Sequence, residues 1–334
     1  MPSFHEVFAQ AAGTGGTLPF DRFCELALYH PKVGYYRRDR VRVGRGPGTD
    51  FHTSTSSDPV FGTLVAAACA NLVGTEAARE HAFVEIGAEP FDSAQGGRGA
   101  GVLDGIAHAF REVRTIRVGE PLQIEGSCVV FSNELFDAQP FLRLLFRDGA
   151  WRELGVRLAD GALAVVEMPR PGLAAGELIE RLPADPGEGY SLDISLAASR
   201  LAAQIAAQPW HGLFVAFDYG RSWRELTEDS PAGTARAYRA HRQHNDLLAD
   251  PGEQDLTCHV CWDEIIAAVA RRGLRDATIE SQEAFFIRHA RDAVEALVTG
   301  APRGPDPRRL QLQQLIHPTL MGQKFQVLTA RRRV

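Results

Sequence analysis

The chain has 334 residues, enough for one large domain with insertions or two modest ones, and its 45% hydrophobic and 23% charged content is that of a soluble globular protein. A net charge of −6 excludes a global basic field that would draw in nucleic acid, and no apolar run approaches the ~20 residues of a membrane span. Lysine occurs only at Lys32 and Lys324, and the one dense basic run, Arg331-Arg332-Arg333, reads as a solvated terminus. The first residues lack the basic start and apolar middle of a secretory signal, and the five cysteines are scattered. Reduced thiols in a cytoplasmic protein are the expectation, and no metal is predicted.

In chain order, residues 1–30 carry a helical segment whose apolar face is Phe20, Phe23, Leu26 and Leu28, stopped by Pro31. Residues 31–62 are rich in glycine, serine, threonine and aromatics, a long irregular stretch of the kind that is usually functional or disordered; its aromatics argue for order. Leu64 to Val73 reads as helix and His81 to Gly87 as the first convincing strand. Residues 141–168 alternate and contain Asp148-Gly149 and Asp160-Gly161, two hairpin signals that predict a small antiparallel meander. Ile194, Ala198, Leu201 and Ile205 place a helix over 191–207, and Leu213 to Asp218 follows as a strand. Residues 221–261 read as polar and irregular. Beyond them come a helix from Asp263 to Arg272 stopped by Gly273, a strand from Ala277 to Ser281, helices at 284–299 and 307–315, and a strand from Phe325 to Thr329. The alternation of strands and helices predicts a doubly wound α/β sheet with inserted loops and a β-meander.

Chemistry concentrates at strand ends. The buried run Cys128 to Phe131 stops in Ser132-Asn133-Glu134, with Asp137 three residues later, and Leu213 to Phe217 stops in Asp218-Tyr219-Gly220. Open α/β sheets bind ligands just outside the carboxyl ends of their strands, so two such ends suggest one pocket. Val84-Glu85-Ile86-Gly87-Ala88 opens into a glycine-rich segment, 96–101; by spacing alone a plain mobile loop is favoured over a cofactor turn. Cys258-His259-Val260-Cys261 looks like half a zinc site, but four ligands are needed, and only His241 and His244 are near enough in sequence to complete it.

Taken together, the ordered motifs resemble those of the MidA-like family, the family of the mitochondrial respiratory complex I assembly methyltransferase. The resemblance runs from Leu28-Tyr29-His30-Pro31 with Gly34-Tyr35-Tyr36, through Gly48-Thr49-Asp50-Phe51-His52-Thr53, Val60-Phe61-Gly62 and Glu85-Ile86-Gly87-Ala88, to Ser132-Asn133-Glu134-Leu135-Phe136-Asp137-Ala138. Asp218-Tyr219-Gly220, Gly233-Thr234, Asp250-Pro251-Gly252 and His317-Pro318 continue in family order, so it covers about residues 20–328. It implies a class I methyltransferase-like, Rossmann-like fold that binds S-adenosylmethionine and methylates a protein side chain, arginine in the mitochondrial members, in the service of complex I assembly. Glu134 and then Asp137, with Asn133 and Asp50, become the candidate catalytic residues. Glu85, Gly87, Ala88, Gly48, Phe51, His52 and Thr53 become the candidate cofactor residues, although turn hydrogen bonds would equally suit the Asp and Thr side chains of this loop. The implied organisation is an N-terminal segment and site-covering loop over 1–78, and a core over 79–334 with insertions at 141–190 and 221–261. The implied partner is a protein, with no nucleic acid and no membrane span.

Two departures from the family pattern predict a trimmed cofactor half. Glu89-Pro90 follows Gly87-Ala88 where a second glycine belongs. Only 45 residues, 88 to 132 inclusive, separate the first strand's end from Asn133. A βαβ unit takes ~30 residues or more, so one strand, near Thr115 to Val118, is expected there in place of two, with Glu120 as a poor replacement for an acidic ribose anchor. On this ground weak cofactor affinity is expected, and a non-catalytic methyltransferase-fold assembly factor is the alternative function.

Overall fold

The structure, a computed structural model, describes residues 2–37, 59–88, 101–240, 242–299 and 306–333. In chain order the strands are β1 (Thr17–Pro19), β2 (Ala82–Ala88), β3 (Glu112–Arg117), β4 (Gly126–Asn133), β5 (Leu142–Arg147), β6 (Ala150–Ala159), β7 (Ala162–Glu167) and β8 (Ser191–Ile194). They continue as β9 (Trp210–Asp218), β10 (Gly220–Arg221), β11 (Arg236–Arg239), β12 (Arg242–His244), β13 (Asp255–Thr257), β14 (Val260–Cys261), β15 (Arg275–Ser281) and β16 (Gln326–Arg332). The helices are α1 (Phe4–Ala12), α2 (Phe20–Tyr29), α3 (Pro59–Val73), α4 (Thr75–Ala78), α5 (Leu173–Ile179) and α6 (Leu196–Ala207), then α7 (Trp223–Glu228), α8 (Trp262–Arg271), α9 (Gln282–His289), α10 (Arg291–Thr299) and α11 (Pro307–Ile316). By internal packing the described residues form two compact units, one drawn from 1–40, 136–201 and 220–265, the other from 41–135, 202–219 and 266–334.

The second unit is built on a six-stranded sheet of order β15-β16-β9-β4-β2-β3. β3, β2, β4 and β9 run parallel; β16 is antiparallel to β9, and β15 is antiparallel to β16. The expected trio of strands at 82–86, 128–132 and 213–218 lies side by side and parallel, as β2, β4 and β9. These strands are near-continuous apolar runs because both faces of a parallel sheet are covered. On one face Phe83, Val129, Phe131, Leu213, Val215 and Phe217 pack with Phe61 and Leu64 of α3 and Phe285 and Phe286 of α9. Between β2 and β4 the described residues hold one strand, β3, and residues 89–100 of that interval lie outside them.

In the first unit the meander forms as read. Asp148-Gly149 and Asp160-Gly161 all take positive φ (52°, 70°, 53° and 77°), the geometry of the hairpin turn that joins β5 to β6 and β6 to β7. β1 and β8 complete this sheet. Helix α1 starts at Ser3, whose hydroxyl accepts the Glu6 amide while the Glu6 carboxylate accepts the Ser3 amide, a capping box.

Several expectations are corrected. Residues 191–194 are strand rather than helix: Ile194 pairs with Leu142, and the helix begins only after Ser195, whose hydroxyl accepts the Ala198 amide. The stretch 284–299 is two helices, parted at Ala290, which leaves helical geometry at φ −122° and ψ 28°. Residues 221–261 are not plainly irregular. Ser222 and Glu225 form a second capping box that starts α7, and short strands β10 to β14 lie along the same stretch. The basic run is not a solvated tail: Arg331 donates to the Leu72 carbonyl, and Arg332 donates to the carbonyls of Gln208 and Trp210 and lies 5.2 Å over the Trp210 ring.

Candidate functional site

Strand order locates the crevice. From β2 the chain moves outward to β3, then returns to the other side of β2 as β4 and continues outward to β9. The order therefore reverses between β2 and β4, and ligands of open α/β sheets bind outside the carboxyl ends at such a switch point. Those ends are Gly87-Ala88 on β2 and Asn133-Glu134 on β4, the segments picked out in the sequence.

Both ends carry unusual backbone. Gly87 has φ 83°, and a Cβ there would lie 2.7 Å from Leu135 Cδ1, so the bare backbone lets the segment after β4 close in on the end of β2. Glu134 has φ 48°, a left-handed conformation that costs a residue with a Cβ of order 1 kcal/mol and is tolerated mainly where function or surrounding structure requires it. Its amide donates to the Phe217 carbonyl of β9 at 2.9 Å, and Asn133 Nδ2 donates to its Oε1 at 3.2 Å. The carboxylate is thus oriented by its neighbour on a backbone tied to the next strand. One residue earlier, the buried Ser132 Oγ has no hydrogen-bond partner among the described residues.

Glu85 sits two residues before the turn and is buried. Its Oε2 accepts the Val102 amide at 2.7 Å, and a Cβ on Gly101 would lie at that same distance from this oxygen. Burial pushes the carboxyl up to about 7, against the opposing pull of the Val102 amide and Arg117. Glu85 therefore holds the chain returning after the glycine-rich segment. Sequence reasoning missed Val102 and Arg117 as its neighbours; Gly101, closing the glycine run, was the available signal.

At the end of β3, Arg117 rather than an acid aligns with Ala88, and Glu120 Oε2 accepts the Arg117 amide at 2.8 Å. Gly48, Asp50, Phe51, His52 and Thr53, like Glu89 and Pro90, lie outside the described residues. Asp137 falls in the first unit, where it is buried and its carbonyl accepts the Cys258 amide at 3.0 Å.

Other motifs of the family pattern act as staples within the first unit. Tyr36 donates to Asp255 Oδ1 at 2.8 Å and stacks on Tyr29 at 5.4 Å, while Tyr29 donates to the Ala138 carbonyl. The amides of Thr234 and Ala235 both donate to Asp193 Oδ2, and Arg143 Nε donates to its Oδ1. Of the half zinc site and the histidines that could complete it, Cys258, His259, Cys261 and His244 are described, and His241 lies outside the described residues. His259 accepts a hydrogen bond from Arg221 at Nδ1, and burial with the Arg221 charge holds the imidazole down at about 4, neutral. Burial pushes the Cys261 thiol up to about 12. Among the described residues no group of three or more His, Cys, Asp or Glu side chains could hold a metal ion. No helix among them is long and apolar enough to cross a membrane.

The donor set at the switch point fits a nucleoside sulfonium: bare backbone at Gly87, the Ser132 hydroxyl with no partner among the described residues, and the polar pair Asn133 and Glu134. Comparison with known proteins points to the same cofactor. The model of a family described as putative S-adenosyl-L-methionine-dependent methyltransferase matches residues 108–279. A crystal structure of a Burkholderia thailandensis protein bound to S-adenosyl-homocysteine superposes with a TM-score of 0.82 at 26% identity, over 98% of this chain and 91% of that one. A native crystal structure from the same organism gives 0.78 over the same shares. The mitochondrial protein arginine methyltransferase NDUFAF7 homolog of Drosophila melanogaster is 26% identical over 214 residues, 61% of this chain. The match spans about half of that relative's length, 47%.

Proposed function

Since the chain belongs to the family of putative S-adenosyl-L-methionine-dependent methyltransferases, we propose that it moves a methyl group from that cofactor to a protein side-chain nitrogen, with arginine as the acceptor. The single observation that carries this reading is Glu134, held in a left-handed conformation at the switch point with its carboxylate oriented by Asn133. The arginine acceptor draws support from the activity named for the Drosophila relative, and a role in respiratory-complex assembly only from the family resemblance.

When bound, the cofactor supplies a sulfonium methyl group and departs as a neutral thioether, so no acid is needed for the leaving group. The chain's contribution is then positioning and electrostatics. Glu134 would grip the acceptor guanidinium through charge-assisted hydrogen bonds, aim one nitrogen along the transfer line and accept the proton that nitrogen gives up as the N–C bond forms and the S–C bond breaks. Asn133 keeps the carboxylate from turning away. Glu134→Gln keeps the shape and loses the charge: methyl transfer should fall at least a hundredfold while cofactor binding by calorimetry stays within a few-fold. Wild-type turnover in that variant would remove Glu134 from the reaction.

A second reading, a non-catalytic assembly factor on the same fold, has one observation in its favour. β3 ends in Arg117, and the nearby Glu120 carboxylate is engaged by backbone, so the place of an acidic ribose anchor is not filled in the usual way. Stoichiometric binding of S-adenosylmethionine in calorimetry would discard this reading; no detectable heat would discard the first.

A further inference from the structure

A sheet edge presents unpaired amides and carbonyls, and natural proteins shield such edges with charge, bulges, short length or a covering segment. The edges of the two large sheets can be compared on this basis. β3 alternates charge along its length, with Glu112, Arg114 and Arg117. β15 carries Arg275, Asp276 and Glu280, and a bulge between Arg275 and Thr278 where Asp276 takes φ 56°. β1 is three residues long, and β8 is capped by the 231–232 turn, where the Ser191 amide donates to the Pro231 carbonyl. Among the described residues β7 has no bulge and no strand on its outer edge, and its one charge stands at its last position. It reads Ala162-Leu163-Ala164-Val165-Val166 before its first charge at Glu167, pairs only with β6 among the described strands, and keeps register without a bulge. Val165 is exposed, and Leu173, a few residues on, is the most exposed large apolar side chain of the described residues at 84%.

The register fixes which backbone groups face out. The Met168 amide donates to the Glu153 carbonyl, so residue 168 bonds inward to β6. Antiparallel ladders alternate, hence Ala162, Ala164 and Val166 also bond inward, while the amides and carbonyls of Leu163, Val165 and Glu167 point outward. We propose that this edge pairs antiparallel with β7 of a second copy of the chain across a two-fold axis at Val165. An isologous contact needs a self-complementary patch, and this one qualifies. Val165 meets the partner copy's Val165, Leu163 exchanges bonds with the partner copy's Glu167, and no like charges oppose each other. The same axis directs exposed Asp160 of each copy toward exposed Arg170 of the other. One strand pair buries less than the ~1,200 Å² of a standard interface, so the dimer forms at high concentration and dissociates on dilution.

Sedimentation equilibrium on the full chain, from micromolar to near-millimolar, tests this. The wild type should pass from monomer to dimer. Val165→Lys puts a charge on the axis and should weaken association at least tenfold, with unchanged circular dichroism. Should Val165→Lys fail to fold, Val165→Cys supplies the answer, since the native cysteines of the described chain are all buried. A short bis-maleimide should cross-link the Val165→Cys variant into dimers but leave Val298→Cys, an exposed control on α10, monomeric. A wild type that stays monomeric at the highest concentration, equal association of Val165→Lys, or equal cross-linking of the two cysteine variants overturns the proposal. Capture of a strand from a different protein, with no self-association, would overturn it too.

Discussion

At the scale of single residues, the two strand ends respond in opposite ways to substitution. Gly87→Ala keeps φ 83° only under strain and pushes its Cβ at Leu135; the loss should be about 1–3 kcal/mol, read by denaturant unfolding. Glu134→Gly relieves a left-handed Glu, so stability should hold or rise by up to about 1 kcal/mol while methyl transfer disappears. A side chain kept for structure alone would behave the other way round. Glu85 adds a pH signature. Its folded value near 7 stands above the ordinary 4.5, so the folded state favours the protonated form. The stability that Glu85 contributes is full below about pH 4.5 and is lost as pH rises through 7. Glu85→Gln can still accept the Val102 amide and carries no buried charge. Its melting temperature should match that of the wild type near pH 4.5 and exceed it above pH 7.

At the scale of elements, the hairpins, the parallel trio and the helix ended by Pro31 were legible because each has a local cause. Asp-Gly pairs set positive φ, unbroken apolar runs mark strands buried on both faces, and proline ends a helix. The end of β8, the start of α6 and the break at Ala290 follow from tertiary partners instead. Ile194 fits a helical period as well as a strand, and only Leu142 across the ladder decides it. The Asp193 staple was illegible for the same reason: nothing local links it to Arg143, fifty residues earlier, or to the amides of Thr234 and Ala235. Asp193 is 1% exposed and joins β8 to the 233–235 turn. Asp193→Ala would leave the Arg143 charge and two amides without their acceptor, a cost of about 3–5 kcal/mol measurable by urea unfolding. The site divided likewise. Asn133 and Glu134 could be read from a strand that stops in polar residues, whereas Ser132, Val102 and Arg117 gain meaning only beside their neighbours in space.

At the scale of the whole molecule, each compact unit is assembled from three separated stretches of chain, and the sheet that frames the crevice is not filled in sequence order. β16, the last strand in chain order, lies between β9 and β15. Removing Gln326–Arg332 should therefore leave β9 and β15 without their shared neighbour and send the chain to the insoluble fraction on expression, whereas a truncation that trimmed only an edge would be tolerated. The same placement bears on synthesis. As the polypeptide leaves the ribosome, β2, β3, β4 and β9 can pair and shape the switch point well before residue 326 emerges. Through that interval one flank of β9 is open, and β15 has no place to dock. A nascent chain at that length would hold a formed switch point in an unsealed sheet. Early cofactor binding, or a chaperone holding that flank, would then govern how much of the translated chain reaches the native state.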